Sequence, residues 1–271
     1  MHTANLCGPE QTQIGNHAAV GRGFAAIGLS RGGAAKTYRY RDPNEDACGF
    51  ASSPAGMLLA VADGHWGYEG SQAAIGRLIE SHAASLLASG DGEPPQPWEA
   101  TARTLLIDLQ QQILRAGGHR GAQPPRTTLS LAVAFPEHER MNWLCVGDSL
   151  LFAVEERGAH EIGAPAGAIH YMGSPADDAE RLSAHARVGS RSLRDCRALV
   201  LATDGLSEPG IGVVDPAASV ASATVSAARS QDPELRALET VRNLLEEVLS
   251  GQRRQRAGDN IAIAVGWLGA R

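Results

Sequence analysis

The chain has 271 residues, 43% of them hydrophobic, and a net charge of −6. That is enough for one large domain with a substantial core, or for two small ones. The acidic balance speaks against a nucleic-acid or membrane-surface binder, whose footprint is a basic face, and no stretch approaches the roughly 20 apolar residues of a membrane span.

Arginine carries nearly all the positive charge. Lys36 is the only lysine, which reads as a compositional habit more than a mechanism. Cys7, Cys48, Cys145 and Cys196 form no CxxC pair and fit neither a zinc site nor a disulfide framework. With no charged start or apolar block at the N-terminus, the expectation is a soluble protein in a reducing cytoplasm.

Residues 1–22 are polar and Gly-rich and are expected as an N-terminal extension, loose at its start, ahead of a domain over 23–271. "FAAIGLS" (24–30) reads as a first strand and "RGGAAK" as a turn. The segment around "DACGF" and the apolar "MLLAVA" (57–62), joined by the turn chemistry of "SSPAG", predict a hairpin. Ile75, Leu78, Ile79, His82 and Leu86 then recur at helical spacing. "GDGEPPQP" breaks the chain, with Asp91-Gly92 read as a plain turn. Trp98, Ala102, Leu105, Leu109 and Ile113 define a second amphipathic helix, ended by "GGHRGAQPP". Trp98 on that stripe reads as core.

"TTLSLAVAF" (127–135) and "MNWLCVGDSLLFAV" (141–154) predict strands, the latter broken at Gly147. "RALVLATDGL" (197–206) is another strand ending in Asp-Gly. Leu235, Leu238, Val241, Leu245 and Val248 mark a last helix, "QRRQRAGD" (252–259) reads as a solvated loop, and "NIAIAVGWL" (260–268) as the final strand. Strands cluster instead of alternating with helices, which argues for an α+β fold with antiparallel sheets. The region 155–195 carries the weakest pattern.

Carboxylates recur where apolar strands begin or end: Glu45 and Asp46, Asp63, Asp148, Asp204 and Asp259. A sheet rim could aim them at one point. Converging carboxylates repel and rise in pKa unless a cation neutralises them, and an oxygen-only ligand set selects Mg²⁺ or Mn²⁺. Singly, each Asp-Gly is more simply a turn. The ordered set, each at a strand end, shifts the balance.

The series "RDPNEDA", "LLAVADGHWG", "RTTLSLAV", "NWLCVGDSLLF", "LVLATDG" and "GDNIAIAV" resembles the metal-dependent protein phosphatases of type 2C over about residues 24–268. The resemblance implies a four-layer α/β/β/α sandwich of two antiparallel sheets flanked by helices. It implies that Asp63 bridges two Mn²⁺ or Mg²⁺ ions with the Gly64 carbonyl on one of them. Asp204 and Asp259 would hold the other ion, and Glu45 would reach an ion through water. Asp46 would orient a metal-bound water, and Asp148 with Asp204 would hold a weaker third ion. Arg41, which competes with Arg39, matches the phosphate-binding arginine, and His65 matches the general acid. The implied activity is a serine/threonine phosphoprotein phosphatase in which a water shared by two cations attacks phosphorus directly. The implied partner is a phosphorylated protein, with no nucleic acid or membrane, and the chain is expected as a monomer. Two other readings stay open: a pseudophosphatase acting as a binding module, and a phosphatase of a small phosphorylated metabolite.

The pattern departs from the family's at several places. Trp66 stands where a second glycine is usual, Arg126 replaces the glycine of "GTT", and Leu150 replaces the arginine after "GDS". "LSEPGIG" follows "TDG", and the usual stretch between the "GDS" and "DG" motifs is not evident. None of these removes a proposed metal ligand. Asn260 reads as a brace of the Asp259 loop.

Overall fold

Apolar runs of about seven residues form strands buried on both faces, and these become the centres of two sheets. The computed structural model describes residues 1–88, 97–116, 123–165 and 167–269. Asp91-Gly92 and most of the two Gly/Pro-rich connectors lie outside the described residues.

The first sheet runs β1 (His2–Cys7), β4 (Ala47–Ser53), β5 (Gly56–Ala62), β8 (Leu129–Phe135), β9 (Arg140–Val146) and β12 (Arg187–Ser192) from edge to edge. The second runs β11 (Gly158–Glu161), β10 (Leu150–Glu155), β13 (Cys196–Ala202), β14 (Ile261–Trp267), β3 (Ala25–Ser30) and β2 (His17–Arg22). All neighbours pair antiparallel. A two-residue ladder, β6 (Gly64–His65) with β7 (Arg126–Thr127), stands apart.

Three apolar layers follow from the period-2 alternation of each strand. On β5, Leu59 and Val61 face the other sheet and meet Ile27, Leu29, Leu199 and Leu201. Leu58, Ala60 and Ala62 face outward onto α1 (Glu69–Arg77), α2 (Ala83–Ala88) and α3 (Trp98–Ala116). A π-helical turn at 78–82 links α1 to α2. On the second sheet, Val200, Ala202, Ile263 and Val265 pack under α5 (Pro216–Ala227) and α6 (Arg236–Gln255). Each fully buried Leu, Ile or Val contributes about 1.5–3 kcal/mol relative to exposure. The expected four-layer α/β/β/α sandwich is therefore the observed architecture.

Several segments differ from expectation. The first 22 residues are not a loose extension: β1 and β2 are the edge strands of the first and second sheets. The 155–195 region contains β11, α4 (Ala179–His185, N-capped by Asp178) and β12. α5 was not anticipated. "QRRQRAGD" is not a loop over its first half, because α6 continues to Gln255 and ends at Arg256 with φ +57°. Gln252, fully buried there, accepts the Gly33 N–H at 2.6 Å and donates to the Asp259 carbonyl at 3.2 Å. Trp98 is core as expected, and its indole N–H donates to the Trp143 carbonyl at 2.8 Å.

Candidate metal centre

Each carboxylate of the centre sits where a strand enters or leaves its sheet, so the two sheets aim side chains from separate directions. Asp63 follows β5, and its backbone is clamped against β7 and β8. Its N–H donates to Thr128 Oγ1 at 2.9 Å, and its carbonyl accepts from Thr128 N–H and Thr127 Oγ1, each at 2.9 Å. Thr128 Oγ1 is in turn 2.7 Å from Ser149 Oγ, which ties this strand end to the "VGDS" turn. That turn reverses at Gly147, with φ +91°, a conformation that glycine adopts without strain. Arg187 braces it by donating to the Gly147 carbonyl at 2.6 Å. Asp148 then projects inward, and Asp204 arrives from the end of β13. The carboxylates of Asp63, Asp148 and Asp204 each place an oxygen within 4.8 Å of the others.

The remaining acids surround this trio. Asp46 is almost fully buried; one oxygen accepts the Thr203 hydroxyl at 2.7 Å and the other has no hydrogen-bond partner. Thr203 also accepts the Ala262 N–H at 2.9 Å, so the acid's support is shared between β13 and β14. Glu45 turns one carboxylate oxygen to the N–H groups of Arg41 and Asp42, at 3.2 and 3.1 Å. Asn260 does brace its surroundings, though its reach is toward the Glu45 loop. It accepts the Glu45 N–H at 2.9 Å and donates to the Arg31 and Pro43 carbonyls, each at 3.0 Å. Asp259 Oδ1 accepts three donors: the Tyr38 hydroxyl, the Lys36 ammonium at 3.2 Å and the Asn260 N–H at 2.7 Å.

Two glycines in the Asp-Gly motifs are demanded by close approach. A Cβ on Gly64 would lie 2.2 Å from the Glu45 carbonyl oxygen, and one on Gly205 1.9 Å from the Asn260 carbonyl oxygen. They let the acidic loops pack backbone to backbone.

The electrostatics follow from that crowding. Burial, reinforced by the Asp63 charge, pushes Asp46 and Asp204 well above the usual carboxylate range. Burial also raises Asp148, and it raises Asp259 despite the opposing Lys36 ammonium. Asp63 goes the other way: burial opposes its charge, but His65 and Lys36 outweigh it and hold it below its ordinary value. His65 Nε2 stands 3.0 Å from Asp63 Oδ2. Burial lowers the imidazole's pKa, and the Asp63 charge more than reverses that. Its ring meets Tyr171 edge to face at 4.4 Å.

Arg41 is half-buried with its backbone N–H on Glu45, while Arg39 is exposed. The Arg41 guanidinium donates to the Trp66 carbonyl at 2.8 Å and to Glu69 at 2.6 Å. Trp66 adopts φ +67°, the left-handed region that favours glycine, which accounts for the expectation of glycine at this position. Arg126 lies opposite His65 on the β6–β7 ladder. Leu150 is buried among the side chains under α5 and α6.

An all-oxygen donor set whose charges repel, with buried oxygens of Asp46 and Asp148 lacking any partner, fits a hard divalent cation. Lys36, Tyr38, Thr128 and Thr203 were missed by the sequence reading. The only available signal for Lys36 was its solitude among 24 basic residues.

A sequence model of the family described as protein phosphatase 2C matches residues 35–250. No curated protein matches significantly. Among solved structures, the serine-threonine phosphatase 2C from Toxoplasma gondii superposes with a TM-score of 0.64 at 14% identity, covering 94% of this chain and 99% of that one. The serine/threonine phosphatase Stp1 from Staphylococcus aureus gives 0.62 at 17%, covering 95% and 100%. The catalytic domain of PstP, solved in complex with 2 manganese ions, gives 0.53 at 20%, covering 93% and 97%. The family match over most of the chain, on a sandwich that carries these acids at its strand ends, shows that the chain belongs to the protein phosphatase 2C family of protein-serine/threonine phosphatases.

Proposed function

We propose that this chain hydrolyses phosphoserine and phosphothreonine in proteins at a carboxylate centre loaded with Mn²⁺ or Mg²⁺. The observation that carries this reading is the convergence of Asp63, Asp148 and Asp204 within 4.8 Å. The Gly64 carbonyl, Glu45, Asp46 and Asp259 complete the set around them. A bound divalent ion supplies an acidified water and screens phosphate charge.

The chain's own groups do the rest. Asp63 is held ionised beside His65 and so offers a charged oxygen to a cation. Asp46, held by Thr203, is placed to accept a hydrogen bond from water in the centre. His65, with its proton stabilised by Asp63, is placed to hand that proton to a departing serine or threonine alkoxide. Arg41 presents a planar fork suited to phosphate oxygens, kept in orientation by Glu69 and the Trp66 carbonyl. Four buried free cysteines suit a reducing cytoplasm, and the chain is taken to act as a monomer. Among the described residues no helix is long and apolar enough to cross a membrane.

The test is Mn²⁺-dependent hydrolysis of a phosphothreonine peptide, a sugar phosphate and p-nitrophenyl phosphate, beside Asp63→Ala and Asp204→Asn controls. Turnover of the peptide that both substitutions abolish is expected. Preference for the sugar phosphate would move the substrate to a small metabolite. Background rates in wild type would favour the pseudophosphatase reading.

A further inference from the structure

The acidic centre already contains a cation made of protein. The Lys36 side chain is 5% exposed, and its ammonium is 3.2 Å from Asp259 Oδ1. Its charge acts on Asp259, Asp46, Asp63 and Glu45. The position is built into the backbone. Lys36 bridges Gly258, and the Gly258 N–H donates to the Ala35 carbonyl at 3.1 Å. A Cβ on Gly258 would lie 1.9 Å from the Ala34 carbonyl oxygen, so the two loops cannot draw apart to admit a side chain without losing that contact. The ammonium also lies 5.2 and 5.8 Å from the Tyr38 and Tyr40 ring centroids, within cation–π range.

The centre is thereby two-sided. On the Asp259 side, Lys36, Tyr38 and Asn260 all direct donors at one oxygen. On the other side, Asp63, Asp148 and Asp204 converge, and one Asp148 oxygen has no partner. A fixed ammonium at the first side neutralises charge there whether or not metal is supplied; only the second still calls for an exchangeable cation.

We propose that the Lys36 ammonium is a resident cation of this centre, taking the place of one divalent ion on the Asp259 side, so that the chain loads a single Mn²⁺ or Mg²⁺ on Asp63, Asp148 and Asp204. This rests on the metal-dependent phosphatase reading and sets its ion count. Lys36 is a positioning residue: it holds Asp259 and neutralises its side of the centre.

Equilibrium dialysis with elemental analysis should find about one Mn²⁺ per chain in wild type and in Lys36→Arg, and about two in Lys36→Met, where the vacated carboxylates recruit a second ion. Two ions in wild type, or one in Lys36→Met, overturns the assignment. A second measurement needs no substitution: wild type is treated with an amine-acetylating reagent and read by mass spectrometry, and with a single lysine the product is unambiguous. Lys36 should stay unmodified while the N-terminal amine reacts, with and without saturating Mn²⁺. Acceleration by Mn²⁺ to the N-terminal rate would mean that the ion expels the ammonium, and refutes the assignment. One ion in wild type with no phosphoester hydrolysis keeps Lys36 and refutes the phosphatase reading. Two ions with hydrolysis does the reverse, and no uptake overturns both.

Discussion

Replacing Gly205 by alanine adds one methyl group at one of the two tightest backbone contacts of the centre. The new Cβ would start 1.9 Å from the Asn260 carbonyl oxygen, whereas real Cβ contacts essentially never fall below 3.0 Å, so one backbone must retreat by about 1.1 Å. Neither partner is a flexible side chain. Gly205 follows Asp204, and Asn260 follows Asp259 and anchors the Glu45 loop, so the retreat pulls the acids apart. Overpacking of this kind costs about 1–3 kcal/mol, and a misplacement near 1 Å costs on the order of 10²-fold in turnover. Gly76→Ala is the matched control: it adds the same methyl within α1 with nothing inside 4 Å. It should stabilise by about 0.5–1 kcal/mol through helix propensity and a less flexible unfolded chain. Urea unfolding of both variants, with p-nitrophenyl phosphate turnover, reads the two signs. Gly205→Ala at wild-type stability, within about 0.5 kcal/mol, would refute the claim that close approach fixes this glycine.

Four further outcomes are expected. Trp66→Gly and Trp66→Ala both lose the indole, but only glycine is at ease at φ +67°, so chemical denaturation should find the glycine variant more stable by about 1 kcal/mol. His65→Ala should slow a phosphothreonine peptide far more than p-nitrophenyl phosphate, whose phenolate leaves without a proton; equal slowing would remove His65 as general acid. Glu69→Gln loosens the Arg41 guanidinium and should raise KM with little change in kcat, whereas a fall in kcat alone would detach Arg41 from phosphate binding. Asp108, hydrogen-bonded by Arg77 and His82, is held down to about 2. Its folded value lies below its unfolded one, so its stabilisation is present above about pH 4 and is lost as pH falls through 2. Because the carboxylate is partly exposed, Asp108→Asn should cost only about 1 kcal/mol at pH 7 in urea titrations, and the difference should shrink towards zero as the pH is taken below 2.

The central strands were legible because burial on both faces writes continuous apolar runs, as in "LLAVA" and "IAIAV". The acids were legible because each borders such a run, just before it or just after it. β1 and β2 were not, since edge strands are half exposed and carry polar residues such as His2, Asn5 and His17. α5 escaped because "PAASVASATVSA" offers few large apolar side chains to reveal a helical period. Gly64 and Gly205 looked like turn glycines, but what requires them is the backbone of another loop, at Glu45 for Gly64 and at Asn260 for Gly205. Lys36 gave no periodic signal at all. Its role depends on Gly258 and Asp259, more than 200 positions later, and such a contact is visible only after folding.

The position of β14 between β13 and β3 bears on how this molecule is made. β3 is made more than 200 residues before its inner partner β14, so during synthesis the second sheet waits with an open seam. Asp259 and Asn260 lie at the threshold of that late strand. The proposed centre is therefore complete only with closure of the seam, and a nascent or truncated product lacking residues 259–267 would neither finish its core nor assemble that centre.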